Sequence, residues 1–451
     1  MNDTSTSTTQ ATQPASTVNV KLRDRQVLFV APDNAGTRKW GVYGCPEMYR
    51  ADDDCIVVCD AGTMDSHDIE VGAMAEPVAF SSADNGLTWT DTERNEKAPL
   101  PGQLRKGHGQ TSKIFTLSDG SRVQFLPKTP PVNLSTLGLT PKFTSMTATE
   151  DGFMGIFRLG DLPRAARTFE VRYQPSGAAT PQSADGVFDM PDVQFAAAIK
   201  AKGGAGIWPD VTPVFNPLGY GLTGLCHGPA GQEALVEAPD GAWISAITTY
   251  TSTERNGHYF IELHCIASTD RGKTWVLRGS IFNQKSLTTF GATEEFSMIR
   301  FGKEIICVNR ADHATLYDPH RFTVLSRSAD NGMTWTVPVP VASCSVTPHL
   351  VNLKNGVVAL VFGRPGVHVQ FSTDGCRFWN SLTSLIGKTR EEELAAGREL
   401  IDVMYVDMAS YCNTRTVVTG PDRFLVLYTD FKYGGQRRKA IVVQEVIVTP
   451  K

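Results

Sequence analysis

Residues 82 to 89 read SADNGLTW, and the pattern returns as STDRGKTW from Ser268 to Trp275 and SADNGMTW from Ser328 to Trp335. A fourth copy, STDGCRFW from Ser372 to Trp379, keeps the Ser, the Asp and the Trp. The Asp side chain can accept bonds from nearby backbone N–H groups, Gly supplies a positive φ, and Trp can pack over the turn. The repeat therefore predicts β-hairpins closed by one kind of turn, with structural rather than catalytic or metal-binding aspartates.

The composition around these repeats is that of an ordinary globular protein. The chain has 451 residues, 41% hydrophobic residues and a net charge of -4, so no charge excess indicates nucleic acid or an anionic membrane as a partner. No segment reaches the roughly 18 to 20 apolar residues of a membrane helix. The 40 Gly and 26 Pro are spread along the chain, as many short strands with tight turns require. We expect a soluble, all-β protein.

The first 17 residues, MNDTSTSTTQATQPAST, are polar and of low complexity, which predicts a disordered leader without the features of a secretory signal. Whether the chain is cytoplasmic or secreted stays open. The nine cysteines are odd in number and have no paired CxxC spacing, so we expect buried, reduced thiols and no zinc site. No phosphate-binding, dinucleotide-binding or HExxH motif occurs, so neither a cofactor nor a metal is predicted.

The repeats closely resemble the Asp boxes, or BNR repeats, of the sialidase superfamily. This resemblance implies a β-propeller, usually six-bladed, in which each box joins the third and fourth strands of a blade, away from a site that mostly acts on glycans. A single propeller over residues 18 to 451 then has an insertion near 176 to 215, and a seventh blade from that insertion is the alternative. Predicted blades cover about 41–95, 107–175, 220–280, 288–340, 341–385 and 407–449.

Two further segments have predicted structural roles. Residues 18 to 32, VNVKLRDRQVLFVAP, would add a strand beside the C-terminus and close the ring. The stretch TREEELAAGREL, from residue 389 to 400, predicts a short helix before the last blade.

In a propeller, the first residues of each innermost strand converge on the central channel. These strands are predicted to begin with CPEMYR, GHGQTSK, CHGPAG, TEEFSM, TPHLVN and SYCNTR. They contribute one titratable or aromatic candidate each: Glu47, His108, His227, Glu294 or Glu295, His349 and Tyr411. Such a set predicts a functional funnel, with Glu47 and the three histidines among the substrate-binding candidates.

The resemblance to sialidases assigns roles to some of these residues. Sialidases hold a substrate carboxylate with three arginines, whose guanidinium groups match a carboxylate bidentately. The segment EEFSMIRFGKEIICVNR resembles the family stretch with the activating glutamate, here Glu294 or Glu295, and the second arginine, Arg310. The following segment, TPHLVNLKNGVVALVFGR, places Arg364 as the third arginine.

The remaining catalytic parts come from the last and the first blade. Tyr411 is the candidate nucleophile, activated by the glutamate because a free phenol has a pKa of about 10. Strict alignment on GPDR puts Asn413 at the tyrosine position, and the two-residue period of a strand keeps both on one face. The acid/base is Asp65 or Asp68 in DAGTMDSHDIE, and His67 between them is an alternative proton carrier.

The sequence departs from the family at the first arginine. The expected Arg-Ile-Pro is replaced by Gly44-Cys45-Pro46, followed by Glu47. A carboxylate there would repel a sialic acid carboxylate by about 1 to 4 kcal/mol. This departure weakens the case for sialic acid as the substrate. The prediction of a propeller that acts on glycans is unaffected.

Three functions follow. The first is an exo-acting, sialidase-like glycoside hydrolase that cleaves a terminal acidic or modified sugar, with Tyr411, Glu295, Asp65 and Asp68 as catalytic candidates. The second is a lyase or unusual glycosidase acting on uronate linkages, with His108, His227 and His349 as acid/base candidates. The third is a non-catalytic carbohydrate-binding propeller. A glycan is the partner in all three, and the oligomeric state is left undetermined.

Overall fold

A computed structural model of the chain describes sixteen ranges: residues 17–31, 46–52, 55–60, 78–92, 114–128, 130–146, 152–201, 213–218, 223–225, 235–252, 259–282, 291–312, 322–343, 347–398, 410–435 and 438–451. Within these ranges the protein is nearly all-β, as the sequence predicts. The α-helical structure there is one short helix, α1 (Arg390–Ala395), and three 3-10 turns lie at Leu159–Asp161, Arg164–Arg167 and Tyr433–Gly435.

The first strands of the chain belong to two sheets. β1 (Val18–Leu22) and β2 (Gln26–Val30) pair with the last strand of the chain. A four-stranded antiparallel sheet follows, made of β3 (Glu47–Asp52), β4 (Cys55–Asp60), β5 (Val78–Ser82) and β6 (Thr90–Asp91).

The next strands are distributed over several sheets. In chain order they are β7 (Ile114–Thr116), β8 (Arg122–Pro127), β9 (Val132–Asn133), β10 (Phe143–Met146), β11 (Gly152–Arg158), β12 (Thr168–Gln174), β13 (Gln182–Phe188), β14 (Gln194–Ala201) and β15 (Val214–Phe215). Strands β7, β8, β12 and β13 lie side by side, β10, β11 and β14 form a three-stranded sheet, and β9 pairs with β15. The range 176 to 215, predicted as an insertion, thus contributes strands to three different sheets.

The second half of the chain is more regular. Its strands are β16 (Val236–Glu237), β17 (Trp243–Ser252), β18 (Tyr259–Ser268), β19 (Thr274–Phe282), β20 (Gly291–Phe301), β21 (Glu304–Asp312), β22 (Phe322–Ser328), β23 (Val339–Ser343), β24 (His349–Asn352), β25 (Val358–Gly363), β26 (Val367–Ser372), β27 (Asn380–Ile386), β28 (Ser410–Gly420), β29 (Arg423–Asp430) and β30 (Ala440–Pro450). Strands β16–β19, β20–β23 and β24–β27 each lie in sequence order, and β28, β29 and β30 are completed by β1. A short parallel pairing joins β13 to β19.

Apolar cores lie between neighbouring sheets. Both β25 and β26 are buried along their whole length, as central strands covered on two faces should be. One core joins β18 to β20 through Leu263 and Phe296, and another joins β21 to β25 through Ile306 and Leu360. Contacts link β18 with β20, β20 with β24, β24 with β28, β28 with β3, and β3 with β7. The sheet that contains β28 therefore contacts the sheet that begins with β3.

The four repeats form the predicted turn. In the first copy, Gly86 N donates to Ser82 Oγ at 2.7 Å and Thr88 N donates to Asp84 Oδ1 at 2.9 Å. Asn85 and Gly86 have φ values of 59° and 85°. The equivalent bonds recur in the other copies with donor–acceptor distances of 2.8 to 3.1 Å. All four turns join the third and fourth strands of a sheet, so the structural interpretation of the motif is confirmed.

Two of the repeat tryptophans, the strand near the N-terminus and the short helix also follow their predictions. Trp275 is buried, and its Nε1–H donates to the Gly272 carbonyl at 3.0 Å, as Trp335 does to Gly332. The predicted strand in 18–32 pairs with β30, and the predicted helix forms with a capping box between Thr389 and Glu392.

Three of the cysteines support the expectation of buried, reduced thiols. Cys265, Cys307 and Cys376 are free and buried. Burial raises the pKa of Cys265 and of Cys376 to about 12. These thiols are therefore protonated and unreactive near neutral pH.

We expect Asp330→Ala to lower the free energy of unfolding by about 1 to 2 kcal/mol, because Thr334 N and the Ser328 hydroxyl lose their acceptor. Burial raises the pKa of Asp330, but hydrogen bonds from Thr334 and Ser328 outweigh burial and hold this pKa below its usual value. The contribution of the Asp330 carboxylate to the free energy of unfolding is therefore fully present at a pH above the ordinary Asp pKa. It is lost as the pH falls through the lower pKa of the folded state. Urea unfolding at pH 7 and pH 3 measures both effects.

The exposed Asp24→Ala is the matched control and should unfold as the wild type does. Equal stability of Asp330→Ala and Asp24→Ala at pH 7 would contradict the assigned role of the turn.

Candidate functional site

Strand direction separates each sheet into two ends. The box turns lie where the third strand ends and the fourth begins. In an antiparallel sheet the start of the first strand, the end of the second and the start of the third then lie at the opposite end, which we call the site end. Glu47 and His349 start first strands, Arg310 lies near the end of β21, and Arg364 follows β25. The four predicted residues therefore lie at the site end of their sheets.

Glu295 and Arg310 form an ion pair across β20 and β21. Arg310 Nη1 donates to Glu295 Oε1 at 2.8 Å, and the two side chains are only 11% and 8% exposed. The second oxygen, Glu295 Oε2, accepts from the backbone N–H of Thr347 at 2.8 Å. Because Thr347 lies just before β24, one buried carboxylate joins an arginine of its own sheet to the entrance of the next sheet.

Two of the innermost strands are irregular at the same place. In β20, the four steps from Ala292 to Phe296 face only two steps of β21. In β28, the four steps from Tyr411 to Arg415 likewise face two steps of β29. Bulges re-aim side chains and are enriched beside active sites. These two bear directly on the directions of Glu295 and Arg415.

The backbone at the site end holds two rare conformations. Thr347 and Arg364 have φ values of 47° and 62°, in the left-handed region that non-glycine residues seldom occupy. Such residues cost about 1 to 3 kcal/mol each and cluster at functional sites. Arg364 is also buried, with 1% of its surface exposed. Two unfavourable backbone conformations therefore lie at the site end of the sheet β24–β27, where the arginine lies.

A second ion pair joins the first sheet to the last. Arg415 of β28 donates from Nε and Nη2 to the two oxygens of Glu47, both at 2.7 Å. Arg415 is 1% exposed and the Glu47 side chain 15% exposed, so the carboxylate is the more accessible partner. From the sequence alone, Glu47 is expected to be an uncompensated negative charge. The bidentate partner compensates this charge and reduces the repulsion expected for an acidic ligand.

The structure describes only part of the predicted site. His349 is fully buried, including both ring nitrogens. For Tyr411 the structure describes the backbone, paired with Thr429, and not the side chain. The remaining candidates, His108, His227, Asp65, Asp68 and His67, lie outside the described residues. Their roles stay predictions, and so does the choice of Glu295 over Glu294, whose side chain is likewise not described.

Sequence reasoning missed Arg415 and Thr347. Arg415 lies in the quoted segment SYCNTR, only four residues after the proposed nucleophile. A usable signal existed, because Glu47 is predicted to face the channel and a buried carboxylate needs a cationic partner. The backbone donor of Thr347 has no sequence signal, since any residue except proline supplies an N–H.

The described residues offer neither a metal-binding cluster nor a membrane-spanning helix. No cluster of three or more His, Cys, Asp or Glu side chains that could hold a metal ion occurs among them. In the same residues no helix is long and apolar enough to cross a membrane.

Comparison with known proteins gives structural neighbours only. No family model and no curated protein matches the sequence. A Dyadobacter fermentans protein of unknown function is similar in structure, with a TM-score of 0.53, 16% identity, and coverage of 95% of this chain and 99% of its own. The two chains share a fold over nearly their whole lengths.

Sialidases are also among the structural neighbours. The Hadza microbial sialidase has a TM-score of 0.43, 12% identity and covers 91% of this chain. The Trypanosoma rangeli sialidase in complex with sialic acid has a TM-score of 0.40, 14% identity and covers 93%. The present chain spans 66% and 58% of the lengths of these two sialidases.

We expect Arg415→Met to lower the free energy of unfolding by about 3 kcal/mol or more, because it leaves the largely buried Glu47 carboxylate without its bidentate partner. Adding Glu47→Leu should recover most of the loss, since the uncompensated charge is then gone. Urea unfolding of the single and double variants measures the coupling.

Lys128→Met breaks the exposed Lys128–Asp185 pair, with N–O distances of 2.6 and 2.7 Å, and is the control. It should cost less than about 1 kcal/mol. A loss in Arg415→Met no larger than this would show that the buried pair does not hold the first and last sheets together.

Proposed function

We propose that the chain is a six-bladed propeller and an exo-acting glycoside hydrolase of the sialidase type, which removes a terminal acidic or modified sugar from a glycan. Six groups of four strands support the architecture: β3–β6, then β7, β8, β12 and β13, then β16–β19, β20–β23 and β24–β27, and finally β28–β30 with β1. Contacts between their innermost strands link β16 with β20, β20 with β24, β24 with β28, β28 with β3 and β3 with β7, and the outer strands β13 and β19 join the second group to the third. The fold shared with the Dyadobacter fermentans protein extends over 95% of this chain.

The arrangement of Glu295, Arg310 and Thr347 is the observation that carries the functional proposal. A buried ion pair is costly unless it is well satisfied, and it is a poor source of net stability. Here both carboxylate oxygens are engaged at 2.8 Å, so the carboxylate is fixed and holds Arg310 Nη1 beside it. A fixed guanidinium at the site end is suited to bind a carboxylate of a sugar.

In this proposal Arg310 and Arg364 bind the substrate carboxylate. Tyr411 attacks the anomeric carbon, and its phenolic proton moves to Glu295. Each oxygen of a carboxylate can accept two hydrogen bonds, so Glu295 can accept from a phenol while it orients Arg310. The proposed pairing of a tyrosine with a neighbouring base is the general way to activate a weak nucleophile.

The leaving group needs an acid on the other side of the bond. Asp65 or Asp68 would donate a proton to the departing oxygen as the bond to the anomeric carbon breaks. In the second half of the reaction the same aspartate, now a base, would take a proton from water, and that water would release the sugar from Tyr411. Both halves conserve protons, since Glu295 returns its proton to the tyrosine.

The ion pair of Glu47 and Arg415 narrows the range of possible substrates. In place of a first arginine, this corner of the site presents a carboxylate with its cation buried behind it. We therefore propose an acidic sugar held by two arginines rather than three.

The test is hydrolysis of umbelliferyl sialoside, glucuronide and rhamnoside by the purified protein, with the ultraviolet absorbance of unsaturated products followed on a uronate polymer. We expect release of an acidic sugar, abolished in Tyr411→Phe. Arg310→Met should lower kcat/KM by about 100-fold or more, because it removes a charge-assisted contact to the substrate.

Arg172→Met is the matched control, because Arg172 also pairs with a glutamate, Glu170, at 2.8 Å, but on β12 of another sheet. It should change kcat/KM less than about threefold. Hydrolysis that survives in Tyr411→Phe, or unsaturated products in place of hydrolysis, would refute the proposed mechanism.

A further inference from the structure

The turn that carries Arg364 lies beside a cavity. It joins β25 to β26 through Arg364, Pro365 and Gly366, with a cis bond between the first two, and Arg364 N donates to Gly366 O at 3.0 Å. A cavity of about 190 Å³ is lined on this side by Gly363 and Pro365. Gly363 and Pro365 therefore face this cavity on one side rather than packed side chains.

His368 supports the turn from inside the sheet. Its ring is 2% exposed, and its Nε2 lies 2.9 Å from the Pro365 carbonyl oxygen. A carbonyl oxygen only accepts, so Nε2 carries the hydrogen and donates. Nδ1 is then the acceptor for the Ser384 hydroxyl, 3.0 Å away. The two contacts fix one tautomer and one ring orientation.

The ring and the turn are in direct contact. A Cβ placed on Gly366 would lie 2.7 Å from His368 Nε2 and 2.7 Å from the Ile386 carbonyl oxygen. Only glycine therefore fits where the turn passes over the imidazole. Burial also lowers the pKa of His368, so the ring stays neutral near pH 7 and Nδ1 keeps its acceptor role.

We propose that His368 is a positioning residue that holds the Arg364 turn in its substrate-binding conformation. This inference rests on the proposed function, in which Arg364 binds the sugar carboxylate. The bond from Nε2 fixes the Pro365 carbonyl and therefore the Pro365–Gly366 peptide, and Gly366 in turn accepts the hydrogen bond from Arg364 N. Without this donor, the carbonyl is left buried and unsatisfied, and the turn has an adjacent cavity into which it can move.

The experiment separates the hydrogen bond from the bulk of the ring. His368→Phe keeps the ring and removes the donor, whereas His368→Gln keeps an N–H near the position of Nε2. The substrate is whichever acidic umbelliferyl glycoside, sialoside or glucuronide, the wild type cleaves. With this substrate we expect His368→Phe to raise KM about tenfold and to change kcat less than about twofold. His368→Gln should return KM to within about threefold of the wild type.

His264→Phe is the matched control, because His264 is a half-buried histidine paired with Glu262 in another sheet. It should leave KM unchanged. Thermal unfolding of all variants is measured in parallel. If His368 had a purely structural role, its substitution would lower the unfolding temperature, and His368→Gln would not restore KM. Unchanged KM in His368→Phe, or equal loss in both His368 variants, overturns the inference.

Arg364→Met distinguishes this failure from failure of the proposed function. If Arg364→Met raises KM and His368→Phe does not, only the positioning role is wrong. If neither substitution changes KM, Arg364 does not bind the substrate, and both the inference and this part of the proposed function are overturned.

Discussion

Antiparallel alternation within each four-stranded sheet is the constraint on which the other features depend. A turn closed by Ser, Asp and Gly fixes where the third strand ends, as the bonds from Gly86 N to Ser82 and from Thr88 N to Asp84 show. The start of the first strand and the end of the second must then lie at the other end. Structural aspartates and candidate functional residues are thereby kept apart, so the turns stabilise the scaffold without constraining the chemistry at the site end.

At the site end, buried charges replace apolar packing. The Glu295–Arg310 and Glu47–Arg415 pairs both join or approach a seam between sheets, and each has oxygen–nitrogen distances of 2.7 to 2.8 Å. Apolar residues of similar size would hold such seams at least as well. What the ion pairs add is orientation, because guanidinium forks and carboxylates impose fixed geometry. The bulges in β20 and β28 and the positive φ of Thr347 also contribute to this orientation.

Sequence predicted the parts that depend on local chemistry. The box turns, the strand beside the C-terminus and the helix after Thr389 each need only neighbouring residues or a strong pattern, and the spacing from Glu295 to Arg310 follows from one hairpin. Arg415 was missed because its partner Glu47 lies 368 positions away in the chain. The contact of His368 with Pro365 was missed because it depends on a tight turn geometry that no residue pattern specifies. Long-range pairing and backbone conformation therefore set the limit of prediction.

The most direct test of the account is a crystal structure of the protein with a bound acidic monosaccharide, either sialic acid or glucuronic acid. The account predicts that the sugar lies at the site end, with its carboxylate oxygens about 2.7 to 2.9 Å from guanidinium nitrogens of Arg310 and Arg364. A sugar bound at the end of the box turns, or one whose carboxylate points away from both arginines, would contradict it.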